Sequence, residues 1–159
     1  MKQLKCYTFF GIIFVLIAGT LAHFLYEWTG NNFFIGLFTP INESTWEHMK
    51  LLFFPMLLFS SVMNVKLKKI YPCVTSSLCL GILLGTSLIP VFFYTYTFIL
   101  GKNIFILDIG IFALSVIIAF LTSYKFTVSC KLKPYSFFIC SLVCVYFICF
   151  LLFTYHPPI

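Results

Sequence analysis

Charged residues are scarce in this sequence, and arginine is missing from it altogether. Only 9% of the 159 residues are Asp, Glu, Lys or Arg, whereas an ordinary soluble domain carries about 25%. This shortage excludes a soluble globular protein, a disordered chain and a nucleic-acid-binding protein. The sequence also lacks a glycine-rich phosphate loop, so nothing in it points to a bound nucleotide.

Long apolar runs take the place of the missing charge. Hydrophobic residues make up 62% of the chain, and the mean hydropathy is +1.08. About 20 mostly apolar residues suffice for a membrane-spanning helix, and five segments meet this requirement. We therefore expect an all-α polytopic membrane helix bundle, with a single integral membrane domain over residues 1–159. Its spans are predicted at about residues 7–28, 45–65, 72–100, 103–123 and 134–155.

Two of the predicted spans leave a choice open. Pro90 lies in the third span, where it should kink the helix or end it early, because proline has no amide hydrogen to donate. At the N-terminus, Lys2 and Lys5 followed by a weak cleavage site at residues 20–22 also fit a signal peptide. The apolar run continues beyond residue 22, which favours a retained membrane anchor.

The placement of lysine predicts how the chain is oriented in the membrane. Cytoplasmic loops of membrane proteins are enriched in Lys and Arg. Apart from Lys50 and Lys102, every lysine falls on one side of the predicted spans. These are Lys2, Lys5, Lys66, Lys68, Lys69, Lys125, Lys131 and Lys133. We therefore expect a cytoplasmic N-terminus and an external C-terminus, in a multi-pass protein of a bacterial cell membrane.

The seven cysteines are odd in number, and none lies in a predicted outer loop. Both observations argue against a disulfide framework. Cys140 and Cys144 are four residues apart and share a helix face, so a soft-metal pair is an alternative there. Small apolar packing is the usual role of a buried cysteine, and we expect it here.

The other ionisable groups all gather at the predicted outer side. His23 and Glu27 in the first span are four residues apart and therefore share a helix face. Charged groups are costly in lipid, so these side chains should face the bundle interior or a wet cavity. The acids are Glu27, Glu43, Glu47 and Asp108, and the histidines are His23, His48 and His156. His156, beside two prolines at the C-terminus, is expected to belong to a frayed tail.

The segment before the second span has a purely structural interpretation as well. Ser44 and Glu47 have the spacing of a helix capping box, in which each side chain bonds the other residue's amide. Trp46 fits an anchor at the membrane surface, and Asn42 is assigned to the same structural group. Capping does not explain Glu43 or His48, nor the pair on the first span.

These residues also carry a resemblance to a known family. The stretch at residues 22–28 and the Asn-Glu-Ser-x-Trp-Glu-His motif at residues 42–48 resemble the signature of an uncharacterised bacterial family of small multi-pass membrane proteins. The resemblance implies a membrane protein and implies no reaction. Such proteins often continue beyond the point where this chain ends, which weakens any role for His156.

Three functions compete at this stage. The most economical is a non-catalytic accessory, sensor or assembly protein, whose polar cluster is a hydrogen-bonded structural network. Its partners would be the lipid bilayer and either a second copy or another membrane protein. A small transporter, or a component of a proton or cation pathway, would instead use the intramembrane acids as relay groups.

The remaining alternative is a metal-dependent membrane enzyme that acts on a lipid or envelope substrate. His23, Glu43, Glu47 and His48 would bind a divalent metal such as Zn. Glu27 or Asp108 would act as the general base.

For each of these functions we expect a polar pocket between the first two spans, with Asp108 nearby. The loop at residues 30–44 should fold back onto the bundle, because it is too apolar for open solvent.

Overall fold

The computed structural model describes residues 1–155, and this part of the chain is helical with no strand. His156 lies outside the described residues. The helices are α1 (Lys2–Trp28), α2 (Phe33–Gly36), α3 (Thr45–Leu67), α4 (Val74–Leu100), α5 (Phe105–Ser129) and α6 (Ser136–Phe153), with a 3₁₀ turn at Lys133–Tyr135 before α6.

Five of these elements are long and apolar enough to cross a membrane: α1, α3, α4, α5, and α6 with the turn before it. The expected all-α architecture with five candidate spans is confirmed. The observed bounds differ at the lysine-bearing ends, where α1 begins at Lys2 and α5 runs on to Ser129. Hydropathy marks the apolar part of a helix, whereas the backbone hydrogen bonds continue into the polar segment beyond it.

Successive long helices run in opposite directions and divide the bundle into two ends. The α1–α3 and α4–α5 connections lie at one end, which we call the acidic end because it carries all four carboxylates. The N-terminus and the other two connections lie at the lysine end. Helix α4 packs against α3, α5 and α6, while α1 packs against α3 and α5. The side of the membrane on which each end lies stays a prediction.

Helix α4 continues through Pro90 to Leu100. The alternative that Pro90 ends this span early is therefore wrong. Prolines are tolerated inside membrane helices because neighbouring helices and polar side chains satisfy the freed backbone groups. The helix stops instead at Gly101, whose φ of 65° gives the left-handed C-cap that glycine adopts most readily.

Small residues allow the central helices to approach closely. A Cβ atom added at Gly81 of α4 would lie 2.6 Å from the carbonyl oxygen of Ala119 on α5. One added at Gly85 would lie 2.6 Å from the Cβ of Ala119. Helix α1 meets α5 in the same way, since a Cβ at Gly19 would lie 2.6 Å from the ring of Phe112. Close backbone approach is how helices gain packing energy in lipid.

Four of the cysteines are paired, which makes the expectation of no disulfide framework wrong for them. Cys73 is joined to Cys130 and Cys79 to Cys140, with Cα–Cα distances of 5.3 and 5.4 Å. The partners are 57 and 61 residues apart in sequence. Local spacing cannot reveal such pairs, because they depend on which helices become neighbours. Cys140 is thus bonded to α4 and forms no metal pair with Cys144.

The α4–α5 contact gives a first prediction. The substitution Gly81→Leu should lower the free energy of unfolding by about 1–3 kcal/mol, because the new side chain overpacks the interface with Ala119. Gly110→Leu is the matched control, since a Cβ at Gly110 meets nothing within 4 Å. Thermal unfolding in detergent measures both variants. Equal melting temperatures would contradict the packing role of Gly81.

Candidate functional site

The loop at residues 30–44 folds back onto the bundle as expected. Asn32 caps the short helix α2 by accepting a hydrogen bond from the amide of Phe34 at 2.9 Å. The ring of Phe33 stacks on Tyr155 with 4.6 Å between centroids, and Phe38 packs edge-to-face on Phe54. These contacts hold the loop against both α3 and the C-terminal segment.

A fully buried ion pair fixes the inner side of this loop. The Lys50 ammonium donates to Glu47 Oε2 at 2.7 Å, to the carbonyl oxygen of Gly36 at 3.2 Å and to Thr154 Oγ1 at 2.6 Å. The same Glu47 oxygen accepts from the amide of Ile41 at 3.1 Å. Residues on three separate parts of the chain are thereby joined at one buried charge.

The start of α3 forms half of the expected capping box. Ser44 is the N-cap and accepts from the amide of Glu47 at 3.3 Å. The reciprocal bond is replaced, because the amide of Ser44 donates to Asn42 Oδ1 at 2.9 Å while the Glu47 carboxylate is bound to Lys50 and Ile41. Trp46 is partly buried against Phe150 of α6, with 4.8 Å between ring centroids, so its ring contributes to packing within the bundle.

Three side chains converge on the other side of the loop. Glu43 places one carboxylate oxygen 3.9 Å from His23 Nε2 and the other 3.3 Å from His48 Nε2. One ligand atom from each of the three residues lies within 4.8 Å of the other two. The two imidazole rings stack with 5.4 Å between centroids. We call His23, Glu43 and His48 the trio.

The orientation of His48 places an electrostatic demand on the trio. Its Nδ1 lies 3.0 Å from the carbonyl oxygen of Ser44, and a carbonyl only accepts hydrogen bonds. Nδ1 must therefore carry a proton, which leaves Nε2 facing the Glu43 carboxylate. In the neutral ring Nε2 is also an acceptor, so two acceptors would face each other. A cation between them, either a proton or a metal ion, removes this conflict.

The trio borders a cavity of about 540 Å³ at the acidic end. Asp108 and Asn103 also line this cavity. The Tyr96 hydroxyl lies within hydrogen-bonding distance of the Asp108 carboxylate and is 2.7 Å from Asn103 Oδ1. The rest of the lining is largely apolar and comes from α1, α3, α4 and α5. The cavity is thus a mixed site with polar groups at two places on an apolar wall.

The predicted site residues divide into two groups in the structure. His23, Glu43, His48 and Asp108 line one cavity. Glu47 lies elsewhere, with its carboxylate bonded to Lys50, and Glu27 is exposed at the end of α1 without lining the cavity. The sequence interpretation missed Asn103 and Tyr96. Their signal was available, since Asn103 begins the predicted span that contains Asp108 and Tyr96 lies near the end of the span before it.

The chemistry of the trio fits a divalent metal. Two histidines and one carboxylate form a ligand set of catalytic zinc sites, in which a fourth position stays open to water or substrate. Bonds of about 2.0–2.1 Å at tetrahedral angles place ligand atoms about 3.4 Å apart. One carboxylate oxygen of Glu43 and His48 Nε2, 3.3 Å apart, are already at about this distance. The other pairs of ligand atoms are up to 4.8 Å apart, so they require side-chain shifts of about 1 Å.

Five membrane-length helices with a cavity at one end fit a multi-pass helical membrane protein by length and composition. The chain belongs to a family of unknown function, DUF6512, whose model matches residues 1–159. No curated protein and no solved structure matches the chain. Because the family has no assigned activity, the function has to be inferred from the cavity and its side chains.

The buried ion pair gives a second prediction. Lys50→Met should lower the free energy of unfolding by about 3–5 kcal/mol, because it leaves the buried Glu47 carboxylate without its counter-charge. The double variant Lys50→Met, Glu47→Leu should recover part of this loss, since no buried charge remains. Thermal unfolding in detergent measures both.

Lys102→Met is the control for this experiment, because Lys102 is the other lysine at the acidic end and is exposed. If Lys50→Met unfolds at the same temperature as Lys102→Met, the ion pair does not stabilise the loop.

Proposed function

We propose that this protein is a metal-dependent membrane enzyme acting on a lipid or envelope substrate. In this proposal the trio binds a divalent ion such as Zn²⁺ at the wall of the cavity. The observation that carries the proposal is the convergence of two imidazoles and one carboxylate, from two helices and a loop, beside an open cavity.

The contact between His48 and the carbonyl oxygen of Ser44 supports metal binding by the trio. Metal-binding histidines commonly donate their second ring nitrogen to a carbonyl or carboxylate, which fixes the tautomer and directs the lone pair. His48 makes this contact through Ser44. The Glu43 side chain is largely exposed, so an ion pair with histidine alone would stabilise the fold little.

Asp108 is the residue we assign to proton transfer. A divalent ion of this class activates water as a nucleophile at neutral pH. Asp108 lines the same cavity and its carboxylate is held by the Tyr96 hydroxyl. In a hydrolysis, Asp108 would accept the proton released by the attacking water and return it to the leaving group.

The non-catalytic alternative is weaker once the contacts are known. A structural network to hold the loop already exists in Lys50, Glu47 and Thr154. That network leaves the trio unexplained. A transporter is supported still less, because a cavity of about 100 Å³ in the lysine half is lined by neutral side chains such as Ser60 and Asn64, with no relay group among them.

Metal content gives a third prediction. Protein purified with a tag that contains no histidine should retain about one zinc per chain, measured by plasma mass spectrometry. His23→Ala and His48→Ala should each weaken zinc binding more than roughly 10–100-fold, because that is the cost of losing a residue that only hydrogen-bonds a metal ligand. Asp108→Asn should retain the metal, since Asp108 is assigned to proton transfer and not to binding.

Glu43→Gln should also weaken zinc binding, because it removes the charged ligand of the trio. Glu27→Gln is its matched control, since both are exposed acids at the same end and only Glu43 belongs to the trio. A wild-type protein without stoichiometric metal, or equal losses in these two variants, would remove the basis of the proposal.

We also propose that the acidic end faces outward from a bacterial cell, as the positions of the lysines favour. In a background without the free cysteines Cys6, Cys144 and Cys149, Glu43→Cys should react with a membrane-impermeant maleimide on intact cells. Lys68→Cys, exposed at the lysine end, should react only after permeabilisation. The reverse pattern would place the site in the cytoplasm.

A further inference from the structure

Helices α1 and α5 are in contact over only part of their length. Their contacts include Gly11 with Phe120 and, closer to the acidic end, Gly19 with Phe112. One residue beyond Gly19, at Thr20, the α1 side chains begin to line the cavity. The Gly19–Phe112 contact is therefore the floor of the cavity, and the two helices are separated by open space above it.

The residues on both sides of this space are exposed as well as cavity-lining. Phe24 of α1 is 43% exposed, and Ile109 and Phe105 of α5 are 53% and 72% exposed. Lining side chains on both helices are thus also exposed. These exposed side chains place an opening of the cavity between the acidic ends of α1 and α5, which are both membrane-length helices.

Much of the inner lining of the cavity is apolar. It includes Ile89 and Phe93 of α4, Leu51 of α3 and Phe112 of α5. The trio and Asp108 lie on the same cavity. An apolar chain could leave the lipid and contact this wall without exposing hydrophobic surface to water. The cavity volume of about 540 Å³ lies in the range of about 300–1,000 Å³ found for small-molecule sites.

We propose that the opening between α1 and α5 is a lateral portal for a single-chain amphiphile from the bilayer. Its apolar chain lies against Ile89, Phe93 and Phe112, and its head, a phosphate or a carboxylate, reaches the trio. A divalent ion with two neutral imidazoles and one carboxylate has a net charge of +1, which complements an anionic head. The position of the amphiphile's head rests on the proposed function, whereas the portal and the binding site for its apolar chain do not.

The experiment is photo-crosslinking of the purified protein in detergent with two diazirine probes, a long-chain fatty acid and a lysophosphatidic acid with the same chain. Both should label cavity residues such as Phe93. The probe that labels more strongly, with its preference lost in His23→Ala, identifies the head as carboxylate or phosphate.

Ile109→Trp narrows the portal and should reduce labelling about tenfold, equivalent to about 1.4 kcal/mol. Leu121→Trp is the matched control, since Leu121 lies on the same helix, is 54% exposed and does not line the cavity. Should Ile109→Trp fail to fold, Thr20→Trp narrows the portal from the α1 side. Metal content should be unchanged in all these variants.

The two proposals fail separately. If the portal and control variants label equally, or neither probe labels the cavity of zinc-loaded protein, the portal is wrong and the metal proposal stands. If both probes label the cavity and the portal variants block them in a protein that binds no zinc, the portal stands and the metal proposal fails.

Discussion

The arrangement of the acidic end depends on one buried charge, the ammonium group of Lys50. A charged group removed from water is costly unless it is paired and hydrogen-bonded. Glu47, Gly36 and Thr154 meet this requirement together, and each comes from a different part of the chain. The need to satisfy Lys50 thus fixes the loop that carries Glu43. The position of that loop in turn brings Glu43 to the two histidines.

This dependence separates two tasks between neighbouring carboxylates. Glu47 is almost fully buried and supports the loop, whereas the Glu43 side chain is 80% exposed and faces the cavity. Glu43 and Glu47 are four residues apart and still do not share a helix face, because Ser44 caps α3 and Glu43 lies before the helix begins. The buried acid that supports the loop and the accessible acid that faces the cavity are therefore different residues.

The fold was largely predictable from sequence and the site only partly. Hydropathy locates the spans because each must supply its own apolar surface to the lipid. Alternating helix direction then brings every acid to one end, which follows from connectivity alone. Which acid meets which base depends on loop geometry, and the sequence interpretation accordingly grouped Glu47 with the histidines. The pairing of Cys73 with Cys130 was missed for the same reason, since it depends on tertiary contacts between helices.

The contact between Lys50 and Thr154 spans 104 residues of sequence. Thr154 follows α6, so this contact cannot form until residue 154 has been synthesised. Until then one donor position of the ammonium has to be satisfied by water, which keeps the start of α3 hydrated. Completion of the loop, and with it the position of Glu43, is therefore a late event in the biogenesis of the protein. A chain truncated before α6 would lack one of the three partners that hold the Lys50 ammonium in place.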